Sequence, residues 1–191
     1  PYLHRAKQAG MVGLWGRSGM FRNFSYQKSV KPVRKSNQSN RERAADGTIT
    51  DWYIYNEIFD ETPKDKFMEN LSESKWTQVK TDDFGRLNIS KKLKLAETKN
   101  TAEVRIDIEA ENDELRQLDY GFSDRAVDYV NDQPVYKGNN TFRSRDYRFL
   151  GSIGFFDSIY LPLKKGKNTI KFAVSESFGG WGVIAKMVDE N

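Results

Sequence analysis

The sequence contains no cysteine and only one histidine among its 191 residues. Without cysteine the chain has no disulfide framework, no thiolate nucleophile and no cysteine-ligated zinc or iron–sulfur site. The single histidine, His4, lies close to the start of the chain, so a Ser-His-Asp triad or a His-rich metal centre is not expected. What remains is either carboxylate chemistry or no chemistry at all. Because these residue types are missing, we expect a protein that is not an enzyme.

Long apolar runs and nucleotide-binding motifs are also missing. The mean hydropathy is −0.77, and no stretch of about 20 apolar residues could form a transmembrane helix. Residues 1–10 lack the apolar segment of a signal peptide. Because the chain begins with Pro1, we expect a fragment or a processed form. No G-x-G-x-x-G, Walker or G-x-S-x-G pattern occurs, so neither a membrane role nor nucleotide or serine-hydrolase chemistry is expected.

The net charge of +4 is unevenly distributed along the chain. Residues 1–43 hold ten Lys or Arg and one acid, for a net of +9, whereas residues 44–191 hold 21 Lys or Arg and 26 acids, for a net of −5. The larger part is therefore mildly acidic and would repel a phosphate backbone. We expect no nucleic-acid partner, although a basic arm that binds an anionic surface is the alternative for the N-terminal stretch.

The composition divides the chain into three zones. In residues 1–26, two short apolar runs flank the Gly-containing connection 16–19, a pattern that suits a β-hairpin. Residues 27–47 are basic, polar and poor in large apolar groups, which is typical of a solvated linker. Residues 48–191 show strand signals almost throughout.

The third zone predicts a β-sandwich. Aromatic residues make up 13% of the chain, and apolar and polar residues alternate, as at Val104, Ile106 and Ile108. In residues 168–174 we expect Ile170, Phe172 and Val174 to face inward. Many short strands without long helices between them favour an antiparallel sandwich, and pairing of its first and last strands would make a jelly roll. The predicted strands are 49–59, 75–80, 85–90, 102–109, 115–122, 126–130, 134–136, 158–163, 168–174 and 181–188.

Five motifs in the second half carry a family resemblance. They are LDYGFSD at 118–124, VDYVND at 127–132, VYKG at 135–138, LPLKKGKNTI at 161–170 and FGGWG at 178–182. In this order they resemble the galactose-binding-domain-like jelly roll of many carbohydrate-binding modules and of non-catalytic domains of glycosidases. The resemblance covers about residues 51–188. It implies an all-β fold, carbohydrate as a ligand, and a secreted or extracytoplasmic protein.

The first zone resembles another type of sandwich. Its GMVGLW and FRNF segments, at 10–15 and 21–24, are similar to the closing strands of a laminin-G or concanavalin-like domain. This resemblance implies that residues 1–26 end a preceding domain of a larger protein. A neighbouring domain of the same polypeptide is therefore an expected partner.

The long loop at 138–156 is the most informative candidate for a ligand site. It combines aromatic rings with arginines and an aspartate, and sugars are bound by flat aromatic faces together with planar hydrogen-bonding groups. The alternatives are that the loop wraps one face of the sandwich with internal ion pairs, and that the Trp of FGGWG fills the core. The predicted ligand-binding residues are Tyr136, Asn139, Arg143, Arg145, Asp146, Tyr147 and Trp181.

Two acidic segments are compatible with a structural calcium ion, although no other cofactor is expected. They are DDFG at 82–85 and EAENDE at 109–114, and neither has EF-hand spacing, so acidic surface loops are the alternative. No metal ligand can be named.

Three hypotheses for function follow. The leading hypothesis is a non-catalytic carbohydrate-binding or accessory β-sandwich module of a larger extracytoplasmic protein. The second is a structural interaction domain that packs on a neighbouring domain through an apolar patch around 11–24. The third is a carboxylate-based glycoside hydrolase, which requires two close carboxyls and at least one raised pKa.

Overall fold

Ten strands and almost no other regular structure account for the described part of the chain. The computed structural model describes residues 25, 44–60, 71–141, 144, 152–177 and 179–188. All of these except Ser25 belong to one unit. The hairpin predicted within 1–26, and the predicted linker up to residue 43, otherwise lie outside the described residues.

Each of the ten predicted strands is present. The strands are β1 (Asp51–Phe59), β2 (Trp76–Lys80), β3 (Arg86–Asn88), β4 (Thr101–Ala110), β5 (Glu114–Ser123), β6 (Arg125–Val130), β7 (Gln133–Asn139), β8 (Asp157–Leu163), β9 (Gly166–Ser175) and β10 (Gly182–Met187). Single 3₁₀ turns stand at Glu73–Lys75 and Ile89–Lys91.

The strands form two sheets in which every pairing is antiparallel. One sheet has six strands in the order β2-β1-β4-β9-β6-β7, and the other has four in the order β3-β10-β5-β8. The expected all-β antiparallel sandwich is confirmed.

Alternation of side chains places the core between the two sheets. On β9, Ile170, Phe172 and Val174 have no exposed surface, as predicted. The four-stranded sheet contributes Tyr120, Phe122 and other buried residues from its inner face, and these belong to the same apolar cluster. Removing such side chains from water is the main stabilising term, about 1.5–3 kcal/mol for each fully buried large apolar side chain.

Two tight turns are held by asparagine side chains. Asn131 and Asp132, which join β6 to β7, have φ of 50° and 65°, the left-handed conformations that a two-residue hairpin turn requires. Asn168 has no exposed surface and closes the turn between β8 and β9, because its side chain accepts from Lys164 N at 2.8 Å and donates to Lys164 O at 2.6 Å. Asn131 Nδ2 also donates to Asn168 Oδ1 at 2.8 Å, so the two turns are joined.

The two ends of the described sandwich meet. Ile49 N donates to Ala185 O at 2.9 Å, and Met187 N donates to Gly47 O at 3.0 Å, around an antiparallel bridge between Thr48 and Lys186. The segment that pairs with β10 of the four-stranded sheet continues directly into β1 of the six-stranded sheet. This is the closure between first and last strands that the jelly-roll prediction requires.

Among the described residues, no helix has the length and apolar character needed to cross a membrane.

Candidate functional site: an aromatic sheet face and a buried carboxylate cluster

The register of the six-stranded sheet brings together residues that are far apart in sequence. Tyr53 on β1 lies opposite Arg105 on β4, and Arg105 lies opposite Lys171 on β9. Since Val104 and Ile106 on β4 belong to the core, these three residues point to the other side, the outer face of the sheet.

Aromatic rings gather on this outer face around one arginine. The Arg105 guanidinium lies over the Trp76 ring, 4.6 Å from its centroid, and over the Tyr53 ring at 4.9 Å. Tyr55 meets Trp76 edge-on at 5.2 Å and stacks on Phe59 at 5.7 Å. We call these five residues the aromatic face. Tyr53, Phe59 and Trp76 are half-buried, so part of each side chain is open to solvent.

Two carboxylates hold Arg105 in place on the aromatic face. Arg105 Nη1 donates to both carboxylate oxygens of Glu73, at 3.0 and 2.9 Å, and Asp107 Oδ1 lies 3.6 Å from Arg105 Nε. Stacking and ion pairing together fix the guanidinium plane, which is the planar donor group that hydroxyl-rich ligands need. Trp76 Nε1 is buried and has no hydrogen-bond partner among the described residues.

A buried carboxyl lies on the same outer face, two residues before Arg105. Glu103 has no exposed surface, and within the described part of the chain neither of its carboxylate oxygens has a hydrogen-bond partner. Burial raises the pKa of Glu103 to about 8, while the Lys171 ammonium acts in the opposite direction. Lys171 is itself paired with Asp132 at 2.6 Å. Glu103 is therefore mainly protonated at neutral pH.

A second group of acids lies where β5 and β9 end. The Ser123 hydroxyl is 3.4 Å from Asp124 Oδ1 and 3.4 Å from Glu176 Oε2, and all three residues are buried. Burial, followed by repulsion from Asp124, raises the pKa of Glu176 to about 7. We call these three residues the carboxylate cluster.

Backbone amides and an arginine surround the carboxylate cluster. Ser177 N donates to Asp124 Oδ2 at 2.8 Å, Gly180 N donates to Glu176 Oε1 at 3.2 Å, and Arg125 Nη2 donates to Ser177 Oγ at 2.6 Å. The cluster thus has two close carboxyls, one of them with a raised pKa, which is the arrangement that carboxylate catalysis requires.

The residues predicted from the sequence as ligand-binding are only partly described. Arg143, Arg145, Asp146 and Tyr147 lie outside the described residues. Asn139 is exposed at the end of β7, and its side chain accepts from the backbone N–H and the hydroxyl of Thr141, at 3.0 and 2.7 Å. Its oxygen is thus engaged in a local turn.

Tyr136 and Trp181 contact the core rather than a cleft. The Tyr136 ring packs edge-on against Tyr120 at 5.7 Å, and its hydroxyl donates to Asp157 Oδ1 at 3.4 Å. Trp181 is 1% exposed, and its indole N–H donates to Val174 O at 2.8 Å. The core interpretation of Trp181 agrees with this geometry. The stacking interpretation does not, because both ring faces are covered.

The described end of the 138–156 loop lies against the four-stranded sheet. Phe156 N donates to Tyr120 O at 3.2 Å. A Cβ added at Gly121 would lie 1.7 Å from Gly154 O, so only glycine permits this approach. This part of the loop follows the alternative in which the loop wraps one face of the sandwich.

The acidic segments proposed for calcium have structural contacts of their own. Asp82 Oδ1 accepts from Phe84 N and Arg86 N, both at 3.0 Å, and Asp82 Oδ2 pairs with Arg86 at 3.1 Å. Asp113 pairs with Lys164 at 2.8 Å. Across the ranges that the structure describes, no three His, Asp or Glu side chains are grouped for a metal. The calcium ion stays a prediction.

Sequence reasoning missed the aromatic face. The segment ITDWYIYNEIF contains its first three residues, and alternation with Trp52 and Ile54 already indicates that Tyr53 and Tyr55 share a face. Trp76 and Arg105 join these residues because β1 pairs with both β2 and β4. No local sequence pattern specifies the register of these pairings.

Comparisons with known proteins give matches among solved structures only. No protein-family model matches the chain, and no curated protein matches it. A family 35 carbohydrate binding module from an environmental isolate is similar at 17% identity with a TM-score of 0.37, over 48% of this chain and 68% of that one.

Two larger enzymes are also similar over one part of their length. A β-glucosidase from Kluyveromyces marxianus has 14% identity and a TM-score of 0.44, over 74% of this chain and 16% of that one. A glycosyl hydrolase family 2 member from Bacteroides cellulosilyticus has 15% identity and a TM-score of 0.44, over 75% of this chain and 21% of that one. The chain thus spans about a fifth of the length of these enzymes.

Proposed function

We propose that this chain is a carbohydrate-binding module of a larger extracytoplasmic protein, and that it binds polysaccharide on the aromatic face. The observation that carries the proposal is the stack of Tyr53, Arg105 and Trp76 on the outer face of the six-stranded sheet.

The chemistry of the aromatic face suits a sugar. Partly exposed rings offer flat apolar surface to the C–H groups of a pyranose, and Trp76 lies on the edge strand β2, where a ligand can approach from the side. Beside these rings, Arg105 supplies hydrogen-bond donors and Glu73 and Asp107 supply acceptors for the hydroxyl groups of a sugar. Neither catalysis nor a cofactor is needed for this role.

The test is binding of the whole chain to a panel of polysaccharides, measured by calorimetry or by retardation in polysaccharide-containing gels. We expect Trp76→Ala to weaken binding by about 1–3 kcal/mol, or roughly 5- to 150-fold, because a stacking ring is lost. Tyr160→Ala is the matched control, since Tyr160 is 61% exposed on the four-stranded sheet. Equal affinity in both variants, with melting temperatures close to that of the unmodified protein, would count against binding on the aromatic face.

A carboxylate-based glycoside hydrolase is the second candidate, and the carboxylate cluster favours it. Glu176, with its pKa near 7, is suited to the general acid, and Asp124 to the second carboxylate. Assay of the same panel for released reducing sugar separates the two candidates, because a binding module releases none. The apolar patch that an interaction domain would need, around residues 11–24, lies outside the described residues.

A further inference from the structure

A shallow depression lies where β1 ends and the segment after β3 passes beside it. Its volume is about 560 Å³. Ile58, Phe59 and Leu93 give it apolar, half-buried walls. Its other lining residues are polar or charged: Asn56, Glu57, Lys92, Lys94 and Lys99.

Three exposed lysines without an ion pair in the described part of the chain line this depression. Lys92, Lys94 and Lys99 are exposed, and within the described residues none of their ammonium groups forms an ion pair. Glu57, the acid that lines the depression, is already paired with Lys75 at 2.7 Å. The segment KKLKLAETK at 91–99 contains four lysines and one glutamate, in a body whose overall charge is negative. We call Lys92, Lys94 and Lys99 the lysine rim.

The depression is continuous with the aromatic face. Phe59, one of its apolar walls, stacks on Tyr55, which packs against Trp76. The neighbouring polar residues are also linked to β2, because Thr77 donates to Asn56 Oδ1 at 3.0 Å. An extended ligand on the Trp76 ring can therefore continue past Phe59 to the lysines.

We propose that the polysaccharide bound by this chain is anionic, and that the lysine rim binds its carboxylate or sulfate groups next to the aromatic face. This inference rests on the proposed function and names the ligand class for it. Unpaired ammonium groups provide point charges for anions, and Ile58, Phe59 and Leu93 provide the apolar surface that a sugar ring covers.

The same observations favour a polysaccharide over a nucleic acid. Residues 44–191 carry a net charge of −5, so a long, densely charged phosphate backbone would be repelled outside the rim. Charges spaced one per sugar or fewer match three lysines around one depression better. Binding should weaken with added salt, because exposed charges are screened beyond about 8 Å at physiological ionic strength.

The experiment compares three forms of the whole chain in gels that contain polygalacturonate, dextran sulfate, a neutral polysaccharide or single-stranded DNA. The first is unmodified, the second carries Lys92→Gln, Lys94→Gln and Lys99→Gln, and the third carries Lys137→Gln, Lys164→Gln and Lys165→Gln. The third form loses the same charge away from the depression, at exposed lysines of β7 and of the turn between β8 and β9. It therefore corrects for the basic N-terminal stretch, which all three forms share.

We expect the unmodified chain to be retarded by an anionic polysaccharide, and the rim variant to lose affinity at least tenfold while the control changes less than twofold. The relative effect of polygalacturonate and dextran sulfate shows whether carboxylate or sulfate is preferred. The inference is overturned if the rim variant and the control variant lose affinity equally. It is also overturned if the chain binds only DNA and this binding depends on the lysine rim. Binding to the neutral polymer that depends on Trp76 but not on the rim overturns the inference and leaves the proposed function standing. Failure to bind any polysaccharide removes both.

Discussion

Glu103 and Asp128 are two acids with no exposed surface, and they lie on opposite faces of the six-stranded sheet. Burial raises the pKa of each to about 8. For Asp128 the nearby Asp157 raises the pKa further, while the Tyr120 hydroxyl lowers it. A carboxyl whose pKa is raised on folding is bound to a proton more often in the folded state than in the unfolded state. Such a group destabilises the fold progressively as the pH rises from the unfolded pKa to the folded pKa.

At the residue scale, we predict that Glu103→Gln removes part of this pH dependence. The penalty at Glu103 should be absent below about pH 4.5 and complete above about pH 8, since those are its unfolded and folded pKa values. Relative to the unmodified protein, the variant should therefore gain stability between these limits, reaching on the order of 5 kcal/mol in free energy of unfolding at the upper limit. Urea unfolding across that pH range measures the gain.

Asp113→Asn provides the control of opposite sign for this measurement. The pKa of Asp113 is held below its usual value by hydrogen bonds from the Lys164 side chain and the Lys165 amide, so Asp113 stabilises the fold above its unfolded pKa. Its removal should cost stability at neutral pH and give no gain toward pH 9. A difference between unmodified protein and Glu103→Gln that stays flat with pH would contradict the burial argument.

At the scale of elements, the turn side chain Asn168 is the clearest test. Asn168 links the β8–β9 turn to the β6–β7 turn through four hydrogen bonds, with Lys164 N, Lys164 O, Gly166 O and Asn131 Nδ2. We expect Asn168→Ala to lower the free energy of unfolding by about 2–4 kcal/mol, because several buried polar groups lose their partner. Thermal or urea unfolding measures the loss, with Thr98→Ala at an exposed loop position as the neutral control. A loss below 1 kcal/mol would show that these bonds are easily replaced.

The strands and their turns were predictable from sequence because each leaves a local pattern. Alternation at Ile170, Phe172 and Val174 predicts which side chains of β9 enter the core, and Asn131-Asp132 is a residue pair typical of a tight turn. These signals act over a few residues, and the structure confirms them.

The candidate site was not predictable in the same way because it depends on which strands become neighbours. Arg105 meets Tyr53 and Trp76 only through the order β2-β1-β4, and no local pattern specifies that order. The FGGWG sequence is compatible with a Trp181 that stacks on a ligand and with one that fills the core. Only the packing of the two sheets decides for the core. The lysine rim was not predicted for a further reason. Residues 44–191 carry a net negative charge, and this sum hides a local excess of positive charge.

At the scale of the whole molecule, the closure between Gly47 and β10 is a point of weakness that can be tested. Gly47 has φ of 79°, and a Cβ there would lie 2.6 Å from Met187 O. We expect Gly47→Ala to destabilise the protein by about 1–3 kcal/mol, through backbone strain and displacement of the strand that it pairs with. Amide exchange at Ile49 and Met187 should accelerate more than exchange in the core strands.

Gly166→Ala is the matched control for closure. Gly166 has φ of 94°, but the nearest atom to an added Cβ is 3.9 Å away, so only the backbone strain is shared. The additional loss of free energy of unfolding in Gly47→Ala, relative to Gly166→Ala, therefore measures the contact with β10. Equal losses in the two variants, with no change in exchange at Met187, would mean that the closure contributes little.

The same closure decides how the sandwich responds to mechanical tension. Thr48 and Lys186 are antiparallel neighbours, so the chain before Gly47 and the chain after Met187 depart from the same side of the bridge. A force applied to these two chain segments does not load several hydrogen bonds at the same time. Once the outer Ala44–Asp83 and Val188–Gln117 bonds are lost, it opens the Met187–Gly47 bond and then the Ile49–Ala185 bond, one after the other.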